Sequence, residues 1–260
     1  MSVKQLKKSS LLVKKKILKL GFECGESAHI GGAISMVEIL TVIYSQFVNR
    51  KKNKFILSKG HGFLGLLSTL NYYGYISDKE ASTYQKNGSH FIAHPIASEK
   101  YFIESSNGSL GQGLSFGCGI AISNKIKKNN EKVYVLLGDG ECYEGSNWEA
   151  AITATEQNLD NIYSIIDCNG FQNDGKISDK MNYINIAKKW KGFGWNVIVI
   201  NGHDINQIIK SLKTKKKNVP TAIIAKTIKG KGIKFMENNN DWHHNRLTKN
   251  LYIAAINQLK

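Results

Sequence analysis

Four short apolar runs stand out along the second half of the chain: "VYVLL" over 133–137, "IYSIID" over 162–167, "WNVIVI" over 195–200 and "TAIIAK" over 221–226. A shorter one, "FILS", occupies 55–58. They are rich in Val and Ile and lack polar–apolar alternation, as strands buried on both faces do. Stretches with helical spacing fall between them: "SMVEILTVIYSQF" (35–47), "LGQGLSFGCGIAISNKIKK" (110–128), "SNWEAAITATEQ" (146–157) and "DINQIIKSLK" (204–213). Strands that alternate with helices predict an α/β fold of three layers, with a central, mostly parallel sheet covered by helices on both faces. Glycines 111, 113, 117 and 119 would let the second of these helices pack very close to a neighbour. Near the N-terminus, Leu6, Val13, Ile17 and Leu20 share one helical face and predict an amphipathic first helix.

Composition changes this picture little. With 260 residues, 42% of them hydrophobic, one sizeable core is within reach. Only 2 prolines and no low-complexity linker interrupt the chain, so a single domain over 1–260 is expected. The basic N-terminus lacks the uninterrupted apolar core of a signal peptide. No stretch approaches a membrane span, and a cytoplasmic protein without a membrane partner is expected.

The formal net charge of +16 raises the question of nucleic acid. The lysines are scattered, at Lys14–Lys16, 51–54, 125–132 and 215–217, mostly at helix ends or in loops. Arg, which reads bases and phosphates through a two-pronged fork, occurs only at Arg50 and Arg246. The pattern argues against nucleic acid but leaves a field that attracts phosphorylated metabolites. Cys24, Cys118, Cys142 and Cys168 form no C-x-x-C pair, so neither a zinc site nor a redox motif is indicated.

In a parallel sheet of this kind ligands bind beyond the carboxyl ends of the strands. The informative residues are therefore Gly138-Asp139-Gly140, Asp167-Cys168-Asn169 and "KTIKGKG" from Lys226. Asp139 and Asn169 end successive strands about thirty residues apart, the length of one strand–helix–strand unit. If those strands are neighbours, a carboxylate and an amide oxygen lie side by side. With one backbone carbonyl they make a partial set of hard oxygen ligands, of the kind Mg2+ completes with phosphate and water. Flanking glycines allow a diphosphate to approach, and the helix opening near Ser146 offers free N–H groups. The competing reading is a plain strand-end turn in which Asp139 caps the next helix.

The wording around these residues carries more. "GDGECYEGSNWEAA…NLDNIYSIIDCNGFQNDG" resembles the thiamine diphosphate signature, and "ESAHIGGAIS", "LSKGHG", "AHP", "GSLGQGLS", "FGWNVIVINGHD" and "KTIKGKGIKFMENNNDWHH" resemble motifs of the transketolase family. The resemblance spans nearly the whole chain and implies the thiamine diphosphate-binding fold. It implies that Asp139, Asn169 and the carbonyl of Phe171 hold Mg2+, or Ca2+ or Mn2+ in its stead. Gly138 and Gly140 would adjoin the diphosphate, and Gly108 and Leu110 would meet the aminopyrimidine through their backbone. His61 and His243 would border the diphosphate and the reaction space, with His29 and His94 facing a sugar. Glu144 would be a buried acid near a dimer contact. His90, His203 and His244 match no motif position and are left out of the site.

The family resemblance covers only the diphosphate-binding domain. It therefore implies a split enzyme that transfers a two-carbon ketol unit between sugar phosphates. A second chain would supply the pyrimidine-binding domain and its activating glutamate, in a hetero-oligomer such as α2β2. Ile30, Ile96, Cys168 and the wording of "HPIASEKYFIESSNGS" depart from the family pattern, mostly on the substrate side. An unusual sugar of polysaccharide or secondary metabolism is thus an alternative to the pentose phosphates. Half of a related thiamine enzyme, resembling a deoxyxylulose phosphate synthase or a 2-oxo acid dehydrogenase, is a further alternative. A basic scaffold protein is the non-enzyme reading.

Overall fold

The computed structural model describes residues 1–49 and 52–259; Arg50, Lys51 and Lys260, the first members of one basic run and the last residue, lie outside the described residues. Five strands form one sheet: β1 (Lys54–Leu57), β2 (Val133–Gly138), β3 (Ile162–Cys168), β4 (Asn196–Asn201) and β5 (Thr221–Lys226). Their order is β1-β2-β3-β5-β4, and every pairing in it is parallel. In register, Gly138 lies opposite Asp167, and Asp167 opposite Ala225. The strands that carry Asp139 and Asn169 are thus neighbours at the centre of the sheet.

Alternating side chains feed two cores. On one face Tyr134, Leu136, Tyr163 and Ile165 pack with Leu6, Val13, Ile17 and Leu18 of helix α1 (Val3–Glu23). The same core takes in α2 (Ile30–Ser35), α3 (Val37–Val42) and the almost wholly buried α4 (Phe63–Tyr72). On the other face Val133, Val135, Leu137 and Ile166 meet α5 (Gln112–Ile126), α6 (Gly145–Glu156) and α7 (Tyr183–Gly192), with Trp190 and Trp195 filling the far corner. Helices α8 (Ile205–Lys213) and α9 (Lys249–Gln258) complete the first face. The three-layer α/β architecture expected from the apolar runs is the one observed. Among the described residues no helix is long and apolar enough to cross a membrane, and all four cysteines are free thiols.

Two expectations need correction. The run over 195–200 is not buried on both faces: β4 is an edge strand whose faces are only partly covered, with Val197 and Ile198 half-buried and Val199 46% exposed. The stretch over 35–47 is not one helix. It breaks at Met36 (φ −101°, ψ 5°) between α2 and α3, and it ends in a widened π turn over Ile43–Phe47. Apolar spacing is blind to both effects, because the break lies inside a continuously buried segment.

The glycines of α5 behave differently from one another. A Cβ on Gly117 would lie 2.7 Å from Val135 Cγ2 in the packed core, whereas a Cβ on Gly119 meets nothing within 4 Å. Gly117→Ala is therefore expected to destabilise the fold by about 1–3 kcal/mol through overpacking. Gly119→Ala should leave it unchanged or gain up to about 1 kcal/mol of helix propensity. Urea denaturation midpoints of the two variants check the contrast.

Candidate functional site

Beyond the carboxyl ends of β1, β2, β3 and β5 the chain leaves a cleft of about 410 Å3. His61, Leu110, Gly138, Asp139, Gly140, Glu144, Asn169, Phe171 and His243 line it, together with Lys59 and Glu141. His29, His94 and Gly108 sit just behind: the His29 ring centroid is 5.7 Å from those of His61 and His94, and a Cβ on Gly108 would lie 4.0 Å from His94. All twelve residues singled out in the sequence thus gather at one place. A larger hollow of about 580 Å3 near Lys54, Ser98 and Glu104 shares none of them.

The floor of the cleft is a buried ion pair. Asp167, the penultimate residue of β3, receives Lys59 Nζ at 2.6 Å and Ser35 Oγ at 2.6 Å on Oδ2. Thr227 Oγ1 donates to its Oδ1, and Asn169 Nδ2 donates to Oδ2 at 3.4 Å. Burial works against the charge of Asp167, but Lys59 and the hydroxyl donors outweigh it and hold its pKa below the ordinary value. Four separate segments are tied together by this one carboxylate.

Above it, Asp139 is 3% exposed. Its Oδ1 accepts from Gly140 N at 2.9 Å and its Oδ2 from Gly170 N at 2.7 Å. Burial pushes its pKa up to about 7, with the backbone donors opposing and Asp167 adding to the rise. Asn169 Oδ1 accepts from Phe171 N at 3.1 Å, which folds the Phe171 segment back towards Asp139. Among the described residues there is no group of three or more His, Cys, Asp or Glu that could by itself hold a metal ion. The candidate donors are the Asp139 carboxylate and neutral oxygens of the segment 169–171, and burial holds that carboxylate close to its protonated form. That set fits a hard divalent cation which takes its remaining ligands from phosphate and water. The two glycines differ: a Cβ on Gly140 would lie 2.8 Å from Gln172 Cβ, whereas Gly138 has no neighbour closer than 3.8 Å.

Glu141 is a second buried acid. Its Oε1 accepts from Ser58 Oγ at 2.5 Å and Gly111 N at 2.8 Å, and its Oε2 from Gly138 N at 3.1 Å. Three wall segments are joined by it, although burial pushes its pKa up. Glu144, expected as the buried acid, has an exposed side chain at the cleft mouth in this chain. It stands outside the 3-10 turn at Gly140–Tyr143, and Glu141 is the residue which that turn directs inward.

The histidines form a neutral cluster. Burial, and then the surrounding cationic groups, lower the pKa of His29 to about 3 and of His243 to about 4. Burial likewise holds His61 well below the usual range and lowers His94. Among the described residues His29 Nδ1 is buried without a hydrogen-bond partner. Lys229, 1% exposed, donates to Asn240 Oδ1 at 3.0 Å and lies 2.9 Å from His243 Nδ1. Burial, then Lys59, lower its pKa to about 8, and it makes no ion pair among the described residues. A neutral His243 that accepts from this ammonium carries its proton on Nε2. The cleft therefore combines neutral hydrogen-bonding rings, one unneutralised cation and a carboxylate that lacks one, an arrangement suited to a metal-bound diphosphate beside a polyol.

Comparison with known proteins matches this arrangement. The family model described as transketolase, thiamine diphosphate binding domain, aligns with residues 16–258. The chain belongs to the transketolase family. It is similar to one of the subunits named for apulose-4-phosphate transketolase in Actinobacillus succinogenes, with 36% identity over all of this chain and 98% of that protein. It is similar also to the 6-deoxy-6-sulfo-D-fructose transketolase subunit SqwG of Clostridium sp. strain MSTE9, with 31% identity over 89% of this chain and 88% of that one. Human transketolase is 34% identical over 90% of this chain, which covers 38% of the human protein. Among solved structures, transketolase from Campylobacter jejuni superposes with a TM-score of 0.86 at 26% identity over all of this chain and 43% of that one. The chain thus spans about two fifths of the human and Campylobacter transketolases, and nearly the whole of the relatives named as transketolase subunits.

As a transketolase-family transferase subunit, the chain holds site groups that sequence reading did not select. Lys59 and Lys229 stand inside quoted motifs, and Asp167 is among the strand-end residues marked in the sequence without a role, so the signal was present but their pairing was not. His244, set aside in the sequence, has its ring centroid 4.5 Å from that of His29 and belongs with the cluster. Lys59→Met, which strands Asp167 as a buried unpaired charge, is expected to cost about 3–5 kcal/mol of stability in urea titration. Adding Asp167→Asn should recover part of that loss, so that the double variant loses less than the sum of the singles.

Proposed function

We propose that this chain is the diphosphate-binding half of a Mg2+-dependent transketolase that moves a two-carbon ketol unit from a ketose to an aldose. The observation that carries the reading is the placing of Asp139 and Asn169 at the ends of neighbouring central strands, in a cleft whose wall residue His243 is backed by Lys229. In this reading the whole span 1–260 is one thiamine diphosphate-binding domain. Asp139, Asn169 and the Phe171 carbonyl hold Mg2+, or Ca2+ or Mn2+ as substitutes, and Gly138, Gly140 and Lys229 border the diphosphate. Gly108 and Leu110 offer backbone groups to the aminopyrimidine. His61 and His243 flank the reaction space, and His29 and His94, neutral at physiological pH, take the hydroxyls of the sugar as donors or acceptors.

Thiamine diphosphate, when bound, supplies the nucleophilic carbon and the electron sink for breaking the bond beside a ketose carbonyl. The protein binds, orients and excludes water. The orphaned Nδ1 of His29 supports a substrate hydroxyl there, since a buried ring nitrogen without a partner costs free energy until one arrives.

The relatives of matching length that are named as subunits support a second chain that brings the pyrimidine-binding domain, in a hetero-oligomer such as α2β2 that would cover Glu144. The same names favour a sugar phosphate, or another anionic ketose, outside the common pentose phosphates, in carbohydrate metabolism. The four free thiols support a cytoplasmic setting.

The chain without its partner is expected to show negligible ketol transfer, and mixing with the partner chain should restore it; robust turnover by this chain alone would overturn the split arrangement. Asp139→Asn should abolish Mg2+-dependent thiamine diphosphate binding in calorimetry on the assembled protein, and unchanged affinity would remove Asp139 from the metal site. The pH dependence follows from its raised pKa. In the fold Asp139 keeps its proton between the ordinary value of 3.8 and about 7, so its contribution to stability is full below that window and is lost as pH rises through it. The metal-free Asp139→Asn chain should therefore melt higher than the parent at pH 8 and equally at pH 3.5. Mg2+ affinity should fall as pH drops below 7, where the proton competes for the carboxylate.

A further inference from the structure

His203, at the turn between β4 and α8, lies outside the cleft but is hydrogen-bonded to the segment that furnishes one wall of it. Its Nε2 accepts the backbone N–H of Ile228 at 2.9 Å, and its Nδ1 lies 3.1 Å from Glu38 Oε2. A ring nitrogen that accepts an amide N–H carries no proton, so the neutral ring has its hydrogen on Nδ1 and donates it to Glu38. Glu38, on α3, is in turn paired with Lys14 of α1 at 2.7 Å. Lys14 Nζ also donates to the Lys231 carbonyl at 3.2 Å. The side chains of Lys14, Glu38 and His203 are 8%, 12% and 14% exposed.

The residues on either side of Ile228 give this contact its meaning. Thr227 donates to Asp167 on the cleft floor, and Lys229 reaches Asn240 and His243 in the cleft wall. Three consecutive residues are thus held at three points, and the middle one is held from behind. Backbone bonds also anchor this stretch, from Thr227 N to the Cys168 carbonyl at 3.1 Å, from Lys231 N to the Ile228 carbonyl at 3.2 Å and from Asn238 N to the Lys229 carbonyl at 3.1 Å, while the Ile228 amide is the donor that His203 takes up. The Ile228 amide has a fixed donor direction, so an acceptor placed as His203 Nε2 is placed fixes the plane of the peptide that joins Thr227 to Ile228.

We propose that His203 is a positioning residue of the cofactor cleft: with Glu38 and Lys14 it clamps the Ile228 amide and thereby sets Lys229 against His243. The proposal deepens the thiamine diphosphate reading and rests on it, because it assigns a purpose to a histidine that lines no part of the cleft. It accounts for a Lys–Glu–His relay, buried at Lys14 and half-buried at Glu38 and His203, which lines a second hollow of about 410 Å3 on the outer side of the first core.

The test is amide hydrogen exchange by mass spectrometry on the full-length chain, with acylation of Lys229 followed in the same samples. Against the parent, His203→Ala should speed exchange of the segment 227–231 and labelling of Lys229 by roughly tenfold, the scale expected when a buried donor loses its acceptor. Protection of β2 should stay at the parent level. His203→Gln, whose amide oxygen replaces the Nε2 acceptor, should retain most of the protection, and Glu38→Gln should lose an intermediate part. Unchanged exchange in His203→Ala would overturn the proposal. So would a loss spread equally over β2, which assigns His203 to general stability, or a Gln variant no better than Ala. Titration of the same samples with Mg2+ and thiamine diphosphate keeps the two readings apart. If the assembled parent protein binds no cofactor, the functional reading fails while the exchange pattern still decides the clamp.

Discussion

Everything at the cofactor end of this protein is arranged about one buried carboxylate. Asp167 is fully buried and draws in Lys59, Ser35 and Thr227 from separate segments, with Asn169 from its own. A buried ion pair is poor at adding net stability, since desolvation consumes most of the Coulombic gain. Its value lies in geometry: each partner is acceptable in only one position, so the pair fixes how β1, β3, α2 and the segment after β5 meet. Asp139 lies one layer above and is denied a cation of its own, because Lys59 is already committed below it. The frustrated carboxyl is thus a consequence of the satisfied one.

The histidines follow the same logic. Lys59 and Lys229 stand close to them, and a low-dielectric setting beside fixed ammonium groups excludes further positive charge. The rings stay neutral and keep both donor and acceptor character, which suits sugar hydroxyls better than imidazolium would. Positive charge for an anionic ligand is left to Lys229, whose position depends on the segment that follows β5. The electrostatics of the cleft therefore reach back through that segment to residues of the first and third helices.

Much of this was legible in the sequence. The Val- and Ile-rich runs marked the central strands, because parallel strands buried on both faces leave no other pattern. The residues just after those runs, Asp139 and Asn169 above all, marked the cleft, because ligands gather at strand carboxyl ends. What stayed hidden depends on strand order or on chain direction within a turn. Lys59 and Asp167 are 108 residues apart, and only the order β1-β2-β3 brings them together. Val199 reads as core until β4 is known to be an edge. Glu141 and Glu144 differ by three positions, and the turn after Asp139 decides which one faces inward. His203 stood inside family-like wording without showing a partner, since its acceptor nitrogen serves an amide from another segment.

The separation of Asp167 from its partners also bears on how the molecule forms. Ser35, Lys59 and Thr227 lie 132, 108 and 60 residues away from it along the chain. Loop-closure entropy must be met before such contacts return anything, and parallel pairing is slow for the same reason. The outer helices carry their own local contacts and can form early. The floor of the cleft cannot, because its last member, Thr227, follows the final strand of the sheet. During synthesis Lys59 and Asp167 can pair once β1, β2 and β3 have emerged, but the set of donors on Asp167 stays incomplete until Thr227 follows. The floor of the cofactor cleft therefore acquires its full set of donors only after all five strands of the sheet have been made.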